Sequence, residues 1–214
     1  MPAPKKALAA PKLPKKLEAH VLTSIDGADL EQCCLEGCEL SEQAGERVRF
    51  EGVKLLGGSL RATKLARLSW LDVLGERCDL SMVEWPGAKL TRVEARACRA
   101  TGAALAEGEL DNVRFVECQL DYASFVGARF RQVTFEACRL KEADFSGADL
   151  TGTSFLRCDL QGADFTGSKL LGADVSSSTL SQVRLGAGDA RGLVVSREQA
   201  VVIAQLFGVV LQDE

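Results

Sequence analysis

The 214-residue sequence contains one histidine, His20, and it stands outside the patterned part of the chain. Acid–base chemistry near neutral pH thus lacks its commonest agent. The eight cysteines include no Cys-x-x-Cys spacing of the kind that zinc sites use. There is no phosphate-cradling glycine loop, and no nucleophile–base pair has a spacing that means anything. The N-terminus has no run of 7–15 apolar residues, which excludes a secretory signal. No stretch approaches the ~20 apolar residues of a membrane span. These absences predict a cytoplasmic, non-enzymatic protein with no metal, no cofactor and no membrane partner.

What is present is a period. Of the 33 positions divisible by five between Ile25 and Leu185, 29 are Leu, Phe, Ile, Val or Trp; the exceptions are Gly45, Gly75, Ala95 and Ala100. Two residues before each centre lies a second phase of small side chains, such as Ala28, Cys38, Val53, Ala143 and Ala163. A period of five fits neither a helix at 3.6 nor a strand at 2, and fixed-period repetition marks a solenoid. Like residues also recur at twenty: Cys78, Cys98, Cys118, Cys138 and Cys158; Val53, Val73, Val93, Val113 and Val133; Phe125, Phe145 and Phe165. Four five-residue units therefore make one coil, and like stacks on like. From Thr23 to about Gly188 there is room for roughly eight coils, a rod of about 40 Å at the ~4.8 Å strand spacing. Seven of the eight cysteines fall on the small inward phase, Cys34 being the exception, and there they act as small packing hydrophobes.

Glycine follows two places after many centres, as at 27, 37, 52, 127, 147 and 167, where a tight turn needs positive φ. Runs such as Ala143-Asp144-Phe145-Ser146-Gly147 and Ala163-Asp164-Phe165-Thr166-Gly167 read as small, polar, large, polar, glycine. This motif resembles the pentapeptide-repeat family over about residues 23–192, with the cleanest match between Phe115 and Val175. The resemblance implies an all-β solenoid, a right-handed quadrilateral β-helix, here ending in a short C-terminal α-helix. Pro86 lacks a backbone donor and is expected to weaken pairing locally. The expected organisation is a flexible basic tail over 1–20, the repeat over 21–192, and a helix and cap over 193–214.

At the C-terminus Ser196 stands as N-cap with Gln199 three residues on, and Gly208 can close the helix. Val201, Ile203, Leu206 and Phe207, continued by Val209, Val210 and Leu211, give it an apolar surface. An end cap is the plain reading. A homodimer interface is the sharper one, and C-terminal helices dimerise several proteins that this chain resembles. The N-terminal segment carries Lys5, Lys6, Lys12, Lys15 and Lys16 against Glu18. It reads as a solvated leader, with a nucleic-acid contact as the sharper alternative.

Some pentapeptide-repeat proteins resemble B-form DNA in shape and charge and protect type II topoisomerases from poisons. The resemblance thus implies a protein partner such as DNA gyrase or topoisomerase IV, with no direct nucleic-acid binding by the β-helix. The alternative is a scaffold with an unknown partner, since fold does not fix function. Acids in the position before the centre, Asp144, Asp149, Asp159, Asp164 and Asp174, are the candidate partner-binding surface. That position is also structural, because a short Asp side chain can bond backbone at a turn. Charge weakens the mimicry: a ~40 Å duplex carries on the order of 23 negative charges, whereas residues 21–214 hold 29 acids against 21 bases. One column alternates in sign from coil to coil apart from an uncharged Ser69: Asp29, Arg49, Ser69, Lys89, Glu109, Arg129, Asp149, Lys169 and Asp189.

Overall fold

A computed structural model of the protein describes residues 8–210; Lys5, Lys6 and Leu211 lie outside them. The strands are β1 (Glu18–His20), β2 (Asp29–Glu31), β3 (Cys33–Glu36), β4 (Ala44–Glu46), β5 (Arg49–Glu51), β6 (Lys54–Leu56), β7 (Lys64–Ala66), β8 (Ser69–Glu76), β9 (Lys89–Arg96), β10 (Glu109–Val116), β11 (Arg129–Glu136) and β12 (Ser154–Leu156); helix α1 is Arg197–Leu206. Every pairing is parallel, and within the coils the register is twenty residues: Leu110 lies on Leu90 and under Phe130, and Val113 between Val93 and Val133. The long sheet runs β1-β3-β6-β8-β9-β10-β11-β12. From β3 to β12 this gives about six strand-paired turns, fewer than the eight expected. Beyond β12 the ladder continues as single-residue bridges, Ser154↔Asp174 and Asp174↔Val194, because turns there occupy most of each face.

The interior is filled as the period requires. Phe125, Phe145 and Phe165 stack with ring centroids 5.2 Å apart, and Phe115, Phe135 and Phe155 form a second column at 4.9 and 5.1 Å. The two columns meet edge-to-face, Phe145 to Phe155 at 5.6 Å and 83°, the geometry that ring quadrupoles favour. Trp85, buried in the same phase, donates from Nε1 to the inward Thr63 Oγ1 at 3.0 Å. Gly58 breaks the cysteine column because a Cβ there would lie 2.6 Å from Cys38 Sγ.

Every fifth residue from Gly27 to Gly172 has positive φ, and only twelve of these thirty corners are glycine. Sequence reasoning found the glycines; it did not find that Arg67, Glu117 or Tyr122 would adopt the same conformation. The coil imposes it, since the left-handed corner turns each face while keeping N–H and C=O groups directed along the axis. Thus Glu117 N donates to Glu136 O and Gly147 N to Thr166 O, both at 2.9 Å.

The expected weakness at Pro86 is absent. Trp85 N and Gly87 N, on either side, donate at 2.8 Å to Ala104 O and Ala106 O in the next coil. The position after the centre gives no ladder bond on this face, so proline there loses none. The tail also differs from expectation. β1 pairs with β3, and residues 8–12 lie along one corner of the solenoid, with Ala9 N donating to Asn112 Oδ1 at 2.9 Å and Lys12 N to Asp72 Oδ1 at 2.8 Å.

All eight cysteines are free thiols. In the column, each thiol bonds a carbonyl 23 residues earlier: Cys98 to Gly75 O, Cys118 to Ala95 O and Cys138 to Phe115 O. The neighbouring thiol of Cys138, together with burial, pushes the Cys118 thiol up to about 12; Cys98, beneath Cys118, is held up to about 12 in the same way.

Replacing Glu117 by glycine relieves a left-handed L-residue at the cost of a more flexible unfolded chain, a net gain of about 0.5–1 kcal/mol and a Tm rise of about 2 °C. Gly147→Ala, in open space at φ 67°, should lower Tm by a similar amount in the same thermal melt. A thiol whose folded pKa is raised stabilises fully below its unfolded value of 9.0, and that contribution disappears as pH rises towards the folded value. Thermal stability should therefore fall above about pH 9, and Cys98→Ala/Cys118→Ala should flatten that slope relative to wild type.

Candidate partner-binding surface

The five candidate acids share one local geometry. Each precedes a buried centre and accepts the backbone N–H two residues on: Ser146 N to Asp144 at 2.8 Å, Thr151 N to Asp149 at 3.2 Å, Gln161 N to Asp159 at 3.2 Å, Thr166 N to Asp164 at 2.8 Å and Ser176 N to Asp174 at 3.1 Å. The side chain thus satisfies an N–H that the inter-coil ladder leaves over, which is why a short acceptor recurs there. Their first role is to close the turn.

Their second oxygens are largely committed too. Asp149 Oδ2 faces Lys169 Nζ at 3.5 Å, Asp159 Oδ2 faces Lys141 Nζ at 3.3 Å, and Asp164 Oδ2 faces Arg184 Nε at 2.9 Å. Bonds from Thr151, assisted by Lys169, hold the Asp149 carboxyl below the usual range. At Asp164 burial works in the opposite direction, but Thr166 and Arg184 outweigh it and the carboxyl stays low. Among the described residues no lysine or arginine lies within ion-pair distance of Asp144.

The acids do not form one patch. Asp144 and Asp164 sit on successive rungs of one face, while Asp149, Asp159 and Asp174 occupy the other three, in rungs with Arg129 and Lys169, with Arg139, and with Ser154 and Val194. The sign-alternating column is realised as a ladder: Arg49 contacts Asp29 at 3.0 Å, and Glu109 lies between Lys89 at 3.8 Å and Arg129 at 3.9 Å. Arg49 also gathers Glu31 and Glu51, drawing in much of the acidic run near the N-terminal end. Such exposed pairs contribute about 0–1 kcal/mol each, yet they cancel the field a continuous acidic track would project.

Residues 69–145 and 88–165 match the family model described as the pentapeptide repeat region. Residues 69–165 are a pentapeptide-repeat region. No curated protein sequence matches the chain. Among solved structures, the chain is similar to trypsin-treated QnrB1, a plasmid-mediated fluoroquinolone resistance protein, at 21% identity over 92% of this chain and 99% of that one, with a TM-score of 0.48. It is similar to HetL of the cyanobacterium Nostoc, a pentapeptide-repeat protein involved in heterocyst differentiation regulation, at 21% identity over 83% and 84% of the two chains, TM-score 0.33. Rfr23 of Cyanothece matches at 16% identity over 64% and 91%, TM-score 0.28.

The C-terminal end of this pentapeptide-repeat rod is covered by α1. Ser196 caps it and forms the reciprocal bond with Gln199, and Gln199 Nε2 also donates to Val175 O at 2.8 Å and Ser178 O at 2.6 Å. The helix thereby satisfies carbonyls that the last coil would leave open. Of the four candidate interface residues, Ile203 packs inward against the core, whereas Val201, Leu206 and Phe207 face solvent together with Val202. No helix among the described residues is long and apolar enough to cross a membrane.

A second set of residues, which sequence reasoning missed, lies in the corner column Asp72, Arg92, Asn112 and Gln132. All four have positive φ, in a column that reads glycine at 52, 152 and 172. Asp72 is nearly buried and receives Arg92 through Nε and NH2, both at 2.6 Å. The signal was available: four polar residues interrupt a glycine column on consecutive coils.

Proposed function

We propose that the protein acts by binding another protein along its outer surface, without catalysing a reaction, and that a type II DNA topoisomerase, gyrase or topoisomerase IV, is the partner. The observation that carries the reading is the unbroken lattice of the coils. Outward side chains sit at fixed intervals of one rung along the rod, so the surface is preorganised and its ordering cost is met on folding. The family resemblance supplies the class of partner. The alternating charges bear on how the rod is read: by shape and by local carboxylates, foremost Asp144 one rung from Asp164, and not by a continuous phosphate-like track. That same alternation favours a second reading, a scaffold whose partner is a different protein.

The dimer belongs to this proposal. Val201, Val202, Leu206 and Phe207 leave an apolar strip on a helix whose opposite side is already docked, and a second copy of the helix is the self-complementary occupant. It would join two rods end to end.

Titrating the protein into a gyrase supercoiling assay, with and without a cleavage-stabilising poison, tests the partner. Inhibition, or relief of poison-induced cleavage, is expected at comparable protein concentration, and Asp144→Lys should weaken it at least tenfold. No effect at a large molar excess contradicts the topoisomerase reading and leaves the scaffold. Light scattering tests the dimer: the wild-type chain should measure as a dimer and Val202→Glu/Leu206→Glu as a monomer. A monomeric wild type removes this part of the account.

A further inference from the structure

Residues 8–12 occupy a groove whose spacing suits an extended chain. Asp72 and Asn112 lie two coils apart in one column, about 9.6 Å along the axis. Ala9 and Lys12, whose N–H groups reach them, are three residues apart, about 9.3 Å for a polyproline-type backbone. Pro11 fixes its own φ and holds Ala10 in extended conformations, so the segment is shaped for this pitch before it docks. The surroundings are polar: Glu94 and Arg114 flank the segment beside Asn112, and Leu8 lies near Gln132 and Thr134. Asp72 is built into the site, held by Arg92 on its own column while accepting the Lys12 amide. Recognition is thus by main-chain donors at every third residue, with proline between them and small side chains around.

We propose that this corner is a docking groove for an extended, proline-containing segment of a partner protein, with residues 8–12 as the built-in occupant that such a partner displaces. The acceptors read backbone and pitch and leave side-chain identity largely open, so a segment from another chain can satisfy them equally. An occupant tethered close by competes at an effective concentration in the millimolar range, which makes it a gate on the groove. The groove is independent of the topoisomerase reading, because it lies on a different corner from the Asp144–Asp164 pair.

The test uses full-length variants and a fluorescent peptide with the sequence of residues 8–16. Ala9→Pro removes the amide that Asn112 accepts and loosens the resident segment without touching the solenoid. Asn112→Gly removes the acceptor while giving the left-handed corner its preferred residue, so the fold is retained. Fluorescence polarisation should show the peptide binding Ala9→Pro at least tenfold tighter than wild type, and adding Asn112→Gly should reverse that gain. Deuterium uptake at residues 8–12 should rise in Ala9→Pro and in Asn112→Gly relative to wild type. Absence of saturable binding to Ala9→Pro, binding unaffected by Asn112→Gly, or unchanged deuterium uptake in both variants would each overturn the proposal.

Discussion

The structure depends on the left-handed corner that recurs every five residues. At each one the chain turns to a new face without tilting its peptide groups away from the axis, so donors of one coil meet acceptors of the next. Eighteen of the thirty corners from Gly27 to Gly172 carry a side chain, each at a backbone cost of about 1–2 kcal/mol. That cost persists because stacking on both sides overdetermines the conformation. No single coil could hold it; the ladder and the corner require each other, which is the logic of a repeat protein.

From this constraint the surface follows. Outward positions cannot drift, so a charge on one rung always has a defined neighbour on the next. Glu109 meets Lys89 below and Arg129 above, and Asp149 meets Lys169. Where the position before a centre is an aspartate, as at 144, 149, 159, 164 and 174, it serves the turn first by accepting the N–H left over, and at 149, 159 and 164 its second oxygen meets a cation. A rod built this way presents rigid shape with locally varied charge. The helix at one end, β1 with its fifteen-residue offset from β3, and the docked segment along one corner depart from the lattice.

Much of this was legible in the sequence. The five-residue phase gave the core, the twenty-residue phase gave the stacked Phe, Val and Cys columns, and Ser196 with Gln199 marked the helix start. The distribution of Asp144, Asp149, Asp159, Asp164 and Asp174 over four faces was also there in the numbering, since residues share a face only when they differ by multiples of twenty. Proximity in sequence suggested a patch that the coil geometry disperses. Other features were hidden for physical reasons. Glycine announces a positive φ, but Arg67 or Tyr122 adopts it through tertiary constraint, and nothing local reports that. Pro86 reads as a disruption unless one knows which N–H groups the ladder uses. Residues 8–12 read as part of a solvated tail because the segment around them is rich in lysine and proline; they dock through acceptors 60 and 103 residues away, a separation no local pattern encodes.

The central claim is that the coil of twenty residues, and not the unit of five, is the structural repeat. Duplicating one whole coil, residues 129–148, and separately duplicating one unit, residues 144–148, distinguishes the two by thermal unfolding. Both insertions keep the five-residue pattern intact. The account predicts that the coil duplication unfolds cooperatively with Tm near wild type, whereas the unit duplication, which rotates every downstream column onto a foreign neighbour, melts at distinctly lower temperature. Equal stability of the two would contradict it, and the stacked columns and charge ladders would then be incidental to the fold.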